Sequence, residues 1–139
     1  MNAGTDPRAV CSVVIHPAQP HLVLAVRRIR DPGRGKWGLP GGMLAHREPP
    51  KYGAARELFE ETAVSMHRPS AFVLYVGPCL TRGGTTITCI TYYAPRWTGL
   101  PATMDEGEVA WQPWERVCEG PFADYNQTLR RILDLALSM

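Results

Sequence analysis

The sequence predicts an α/β (α+β) fold, with a mixed β-sheet packed between helices. Two observations predict it. Apolar, β-branched segments flank a breaker-poor segment of helix formers on both sides. A second helical segment with an apolar stripe closes the chain. The chain has 139 residues, 45% of them hydrophobic and 20% charged. That is enough for one buried core, and a single domain over residues 1–139 is expected.

Taken in order, "AVCSVVIH" (9–16) and "HLVLAVRR" (21–28) are expected strands, separated by the breakers of "PAQP". "DPGRGKWGLPGG" (31–42) is dense in Gly and Pro and is expected to be an irregular loop. Residues 50–62 carry good helix formers such as Ala, Arg, Glu and Leu. "SAFVLYVGPCL" (70–80) and "TTITCITYYAPRW" (85–97) have strand character, with "TRGG" between them as a hairpin turn. In the last helix Phe122, Tyr125, Leu129, Ile132, Leu133 and Ala136 recur at helical spacing, predicting one buried stripe.

Composition narrows the function. A net charge of +2 is too small to point to a nucleic-acid or membrane partner. The start "MNAGTDPRAV" lacks a signal-peptide pattern, and no apolar run is long enough to span a bilayer. Cys11, Cys79, Cys89 and Cys118 are scattered, without a C-x-x-C pair. This argues against a disulfide scaffold or a zinc site and for free thiols in a cytoplasmic protein. A homodimer is left open.

The informative stretch is "GGMLAHREPPKYGAARELFEETAV" (41–64). At 100° per residue, Glu57 and Glu61 are i, i+4 neighbours, with Glu60 slightly to one side. Ala54, Ala55, Leu58, Phe59 and Thr62 form the opposite, apolar arc. Like charges at this spacing cost an isolated helix roughly 0.2–0.5 kcal/mol per pair, which Arg56 offsets in part by reaching Glu60. A solvated acidic face is one account, but such faces usually interleave Lys, and none is interleaved here. A divalent cation accounts for the cluster better. Carboxylates are hard oxygen ligands suited to Mg²⁺ or Mn²⁺, and the preceding glycines let a backbone carbonyl approach the same ion.

These residues resemble the signature of the Nudix hydrolase family. Gly42 opens the pattern, Glu48 follows after five residues, and Arg56-Glu57 after seven more. Leu58, Phe59, Glu60-Glu61, Thr62, Ala63 and Val64 complete it. One constrained position departs, with Ala63 standing where the family has Gly. If that position needs a positive φ, Ala costs roughly 1–2 kcal/mol. Alternatively the helix continues through it. The upstream "WGLPGG" (37–42) is also similar to the family's approach to the motif.

The resemblance implies an α/β/α sandwich and a metal-dependent enzyme that cleaves a diphosphate linked to another group. Glu57, Glu60 and Glu61 would bind Mg²⁺ or Mn²⁺, with the Gly41 carbonyl. Arg56 would orient the glutamates, and Glu48 would join that network or simply face solvent. An added general base is expected in a downstream loop before a Trp-containing strand, which "MDEGEVAWQPWERV" (104–117) resembles. Glu106 is the first candidate there and Glu108 the second. His46, inside the motif, is expected to be a surface residue.

Substrate clues are thinner. Arg27, Arg28, Arg30, Arg34 and Lys36 cluster before the motif. Arg28, Arg30 and Lys36 are candidate phosphate contacts, against the alternative of a solvated basic loop. A nucleobase wants an aromatic platform, for which Tyr92, Tyr93, Trp97, Trp111, Trp114 and Tyr125 are available. A nucleoside triphosphate is the first substrate expected. ADP-ribose or a nucleotide sugar is the alternative, and a silent nucleotide-binding sensor the second. The intact glutamates and Arg56 favour the enzyme.

Overall fold

The computed structural model describes residues 8–80, 86–120 and 122–138. Strands β1 (Arg8–Val13) and β2 (Leu22–Arg27) come first and belong to different sheets. Beyond the end of β1 the chain meets β2 at the Ile15–Val23 bridge, with the Leu24 amide donating to the Val14 carbonyl at 2.9 Å. The loop expected over 31–42 in fact contains two short strands, β3 (Trp37–Gly38) and β4 (Gly41–Met43). The physical reason is close approach. A Cβ at Gly41 would lie 2.2 Å from the Val10 carbonyl, so only glycine lets β4 lie against β1.

Helix α1 spans Pro50–Thr62, with a proline opening its first turn. Strand β5 (Ser65–Met66) follows, then β6 (Phe72–Leu80) and β7 (Thr86–Tyr93). The turn expected at "TRGG" lies outside the described residues. The segment expected as one strand over 85–97 is interrupted at Ala94–Arg96, where Pro95 cannot donate to a ladder. It resumes as β8 (Trp97–Thr98), which pairs with β5. Strand β9 (Val109–Pro113), a four-residue helix α2 (Trp114–Val117) and helix α3 (Ala123–Leu137) complete the chain.

The principal sheet is mixed, in the order β4-β1-β7-β6, with β1 and β7 parallel and the other pairs antiparallel. A second sheet runs β3-β2-β9. Along β1, alternate residues face opposite layers. Val10 and Val14 join Leu24, Ala54 and Leu58 beneath α1. Cys11 and Val13 join Tyr125, Leu129 and Leu133 beneath α3. The sandwich expected from the sequence is therefore present. Among the described residues, no helix is long and apolar enough to cross a membrane.

Two predicted apolar faces were drawn too wide. Phe59 is 52% exposed, because α1 rests on β1 and β4 along Ala54, Leu58 and Thr62, and Phe59 projects from the outer side. Ala136 is exposed and Ile132 only half-buried, since α3 leaves the sheet after Leu133. Conversely Asn126 is buried between Tyr125 and Leu129 and donates to the Val117 carbonyl at 2.7 Å.

Candidate active site

The site begins at the edge of the principal sheet. The Ser12 amide donates to Pro40 at 3.0 Å and the Leu44 amide to Arg8 at 2.9 Å. The Cys11–Gly41 pair between them is thus a non-hydrogen-bonded pair of the antiparallel ladder. Gly41 therefore turns both its N–H and its C=O away from β1, on the open edge of β4. There the N–H donates to Glu61 Oε2 at 2.8 Å. The next residue, Gly42, has no room for a side chain, because a Cβ would stand 2.7 Å from the Glu57 carboxylate. Two successive glycines thus bring backbone and two carboxylates into contact, as the motif's spacing suggested.

Arg56 is the hub of the charged network. Its Nε and Nη2 donate to Glu48 Oε2 and Oε1 at 2.8 and 2.9 Å, a two-pronged pair. Its Nη1 reaches Glu57 Oε1 at 3.0 Å and Glu60 Oε2 at 3.2 Å. Glu48 also accepts from the Ala45 amide at 3.0 Å. The Arg56 hydrogen bonds, aided by that amide, hold the Glu48 carboxyl down at about 2. Glu48 is only 15% exposed, so the solvent-facing alternative does not describe it. Gly53 makes the approach possible, since a Cβ there would lie 3.0 Å from Glu48 Oε1 and 2.4 Å from Leu44.

Glu57 and Glu61 behave differently. Burial raises the Glu57 carboxyl above its ordinary value, against the pull of Arg56. Burial, then the charge of Glu57, pushes Glu61 up to about 8, and the Gly41 amide opposes only part of that. Two carboxylates are thus forced together in a poorly solvated corner, a costly arrangement unless a cation shares it. Glu60 stands apart, 52% exposed and held by Arg56. Among the described residues, no three His, Cys, Asp or Glu side chains converge on one point. The donor set facing the corner is two carboxylates and the Gly41 edge. It consists of hard oxygens, and its chemistry fits a magnesium- or manganese-like ion that keeps several waters.

The exit of α1 decides the question left open at Ala63. Ala63 adopts φ 65° and ψ 13°, the left-handed conformation, and its N–H donates to Phe59. The helix stops there. Thr62 secures the exit, donating to Leu58 at 2.6 Å and accepting from the Val64 amide at 3.2 Å.

The downstream acidic residues separate. Glu108 faces Arg27 at 3.8 Å on the exposed surface, whereas the charge of Glu106 contributes to the upward shift of Glu61. Of the basic candidates, Arg28 is half-buried and donates to the Pro32 carbonyl at 2.6 Å. Its guanidinium lies 5.2 Å above the Phe122 ring. Burial lowers its pKa while the charge of Glu61 works against that. Arg30 and Lys36 are exposed. His46 is at the surface, as expected.

A cavity of about 340 Å³ lies between the sheet and α3, walled by Arg28, Gly41, Cys11, Cys89, Phe122 and Asn126 among others, and Gly41 and Gly42 are the residues it shares with the corner. Of the aromatic residues expected as platforms, Tyr125 lines it, with its hydroxyl against Thr91 at 2.7 Å and donating to the Cys89 carbonyl at 3.0 Å. Tyr92 and Trp114 are core residues, and Trp97 and Trp111 pack together elsewhere, 5.8 Å apart. Phe122 and Asn126 were not singled out as site residues from sequence. The signal for Asn126 was a lone amide in phase with the buried stripe.

The NUDIX domain model matches residues 5–136. A "MutT-like protein" of Streptomyces ambofaciens is 33% identical over 98 residues, covering 70% of this chain, and the chain spans 58% of that relative's length. A MutT NUDIX hydrolase of Burkholderia pseudomallei superposes with a TM-score of 0.73 at 23% identity, over 88% of this chain and 95% of the other. The NUDIX domain of Shewanella oneidensis NrtR, solved with ADP ribose, gives 0.74 at 26% identity, over 94% of this chain and 87% of the other. With a family model spanning nearly all of its length, this chain belongs to the NUDIX domain family.

Proposed function

We propose that the chain is a divalent-metal-dependent pyrophosphohydrolase acting on a nucleoside diphosphate linked to another group, in the first instance a nucleoside triphosphate. The observation that carries this is the corner where the Gly41 amide, Glu61 and Glu57 meet, with Gly41 and Gly42 also walling a cavity. Glu57, Glu61 and the Gly41 carbonyl are the ligands for Mg²⁺ or Mn²⁺, and Glu60 adds a carboxylate from the rim. The bound ion would neutralise phosphate oxygens and acidify a coordinated water.

The chain's own residues supply the rest. Arg56 holds the carboxylates in register, and its bond to Glu48 fixes the arginine itself. Arg28, on the cavity wall, contacts the diphosphate, and the exposed Arg30 and Lys36 reach it from the surface. A carboxylate oxygen of Glu106 accepts the proton of the attacking water. No side chain needs to form a covalent intermediate. The cavity receives the base against Phe122 and Tyr125, with the Asn126 amide at its wall.

Size supports a triphosphate over a dinucleotide. About 340 Å³ lies near the lower end of ligand pockets, roughly 300–1,000 Å³, and suits one nucleoside. ADP-ribose or a nucleotide sugar is the second reading, favoured by the ADP ribose bound to the NrtR domain. The test is a coupled phosphate-release panel over nucleoside triphosphates, ADP-ribose and dinucleotides, with Mg²⁺, with Mn²⁺ and with chelator. Metal-dependent turnover of at least one compound is expected. Binding without turnover across the panel would make the protein a nucleotide sensor.

A further inference from the structure

We propose that Gly107, with Gly99, is a positioning residue for this hydrolysis: the two glycines seat residues 99–108 as a strap that holds Glu106 between the exit of α1 and the end of β2. The inference rests on the reading of Glu106 as proton acceptor. Both ends of the strap are sewn to elements that carry site residues. At the near end, Gly99 adopts φ +100°, and a Cβ there would stand 2.9 Å from the Ala63 carbonyl. The Ala102 amide then donates to the Thr62 carbonyl at 2.9 Å. This end is fixed to the exit of α1, immediately after Glu61.

At the far end, Gly107 adopts φ +141°, and a Cβ would lie 2.2 Å from the Arg27 carbonyl. The Arg27 amide donates to the Glu108 carbonyl at 2.8 Å. Inside the strap, the Gly107 amide donates to Met104 at 3.2 Å and the Val109 amide to Thr103 Oγ1 at 3.1 Å. The strap therefore spans from the helix that carries Glu61 to the strand end that carries Arg27 and leads to Arg28. Glu106 is the residue just before its tightest point.

The contact distance sets the expected size of the effect. Real Cβ atoms essentially never come within 3.0 Å of such a neighbour, so alanine at 107 must shift the strap by roughly 1 Å. A misplacement of about 1 Å at a reacting group costs about 100-fold in rate. Gly99, with the looser contact, is expected to matter less.

The experiment is a double-mutant cycle on kcat and KM with the best substrate of the panel, using Gly107→Ala, Thr103→Val, Glu106→Gln and the two pairings with Glu106→Gln. Gly107→Ala is expected to lose about 100-fold in kcat with KM little changed, and nothing further when Glu106 is already Gln. Thr103 is exposed, so Thr103→Val loosens the strap without disturbing the core, and it decides the matter if Gly107→Ala does not fold. Its smaller loss in kcat should also vanish on the Glu106→Gln background. Wild-type kcat in folded Gly107→Ala, or losses that multiply with Glu106→Gln, would overturn the inference and leave the role of Glu106 standing. An unaffected kcat in Glu106→Gln alone would remove the reading of Glu106, and this inference with it.

Discussion

The two faces of the principal sheet are built on opposite terms. Beneath and beside α1, charge is crowded: Glu48, Glu57 and Glu60 share one arginine, Glu61 has the Gly41 amide to offset its charge, and two glycines bring Glu57 and Glu61 against the backbone. Beneath α3, the cavity is walled by Cys11, Cys89, Phe122, Tyr125 and Asn126 around a single guanidinium, that of Arg28. One face is organised by electrostatics that folding alone does not favour, the other by packing that it does. Stability and function therefore part company across the sheet. On the α1 face, changes that relieve strain should destroy activity, while on the α3 face changes should alter affinity first.

Glu61→Gln is the largest expected effect. Turnover should fall by about 10²–10³-fold or more. The folded protein without metal should instead gain roughly 1–3 kcal/mol near pH 8–9, because a desolvated charge is removed. The sign follows from the shift. A carboxyl raised to about 8 from 4.5 favours its neutral form in the folded state, so its contribution is full below pH 4.5 and is lost as pH rises through 8. Thermal melts of both proteins from pH 5 to 9 with chelator check this. A stability loss in Glu61→Gln across that whole range would contradict it.

Next in size is the arginine hub. Arg56→Lys keeps the charge but cannot form the two-pronged pair with Glu48, and a loss of about 1.5–3 kcal/mol is expected at neutral pH. Here the sign is reversed. Glu48, depressed to about 2, stabilises the fold fully above pH 4.5 and loses that contribution as pH falls to 2. In Arg56→Lys the contribution should be gone already near pH 4.5, so the acid-unfolding midpoint moves up. An unchanged acid midpoint would show that the pair carries little.

On the α3 face, Asn126→Leu keeps the branched shape of the side chain and removes the amide from the cavity wall. About a tenfold rise in KM with kcat nearly unchanged is expected, worth about 1.4 kcal/mol of binding. A matching fall in kcat would place Asn126 in the chemistry and blur the contrast between faces. The smallest effect is at the helix exit. Ala63→Gly should stabilise by about 1 kcal/mol, since φ 65° is strained for alanine and free for glycine. Equilibrium denaturation reads it, and no gain would mean that the strain is offset locally.

The same contrast explains what the sequence made legible. The α1 face is coded within residues 41–64, so fixed spacing reveals it: Gly41, Gly42, Glu48, Arg56, Glu57 and Glu61 meet as the pattern suggested. Spacing could not show that Glu60 would follow Arg56 to the rim, because that depends on which partner an exposed side chain chooses. Nor could it choose between the two conformations weighed for Ala63. The α3 cavity was nearly invisible, since its wall is assembled from β1, β2, β4, β7 and α3, segments far apart in the chain. The short strands β3 and β4 were mistaken for loop because glycine, which ordinarily weakens strands, serves close approach there.

The most direct measurement is calorimetric titration of Mn²⁺ into the protein at pH 7, repeated in buffers of different ionisation enthalpy. Because Glu61 holds its proton up to about pH 8, binding at the Glu57–Glu61 corner should release a proton. Both the release and the binding should disappear in the Glu57→Gln/Glu61→Gln double variant. Binding that persists there, or that releases no proton from the wild type, would contradict the account.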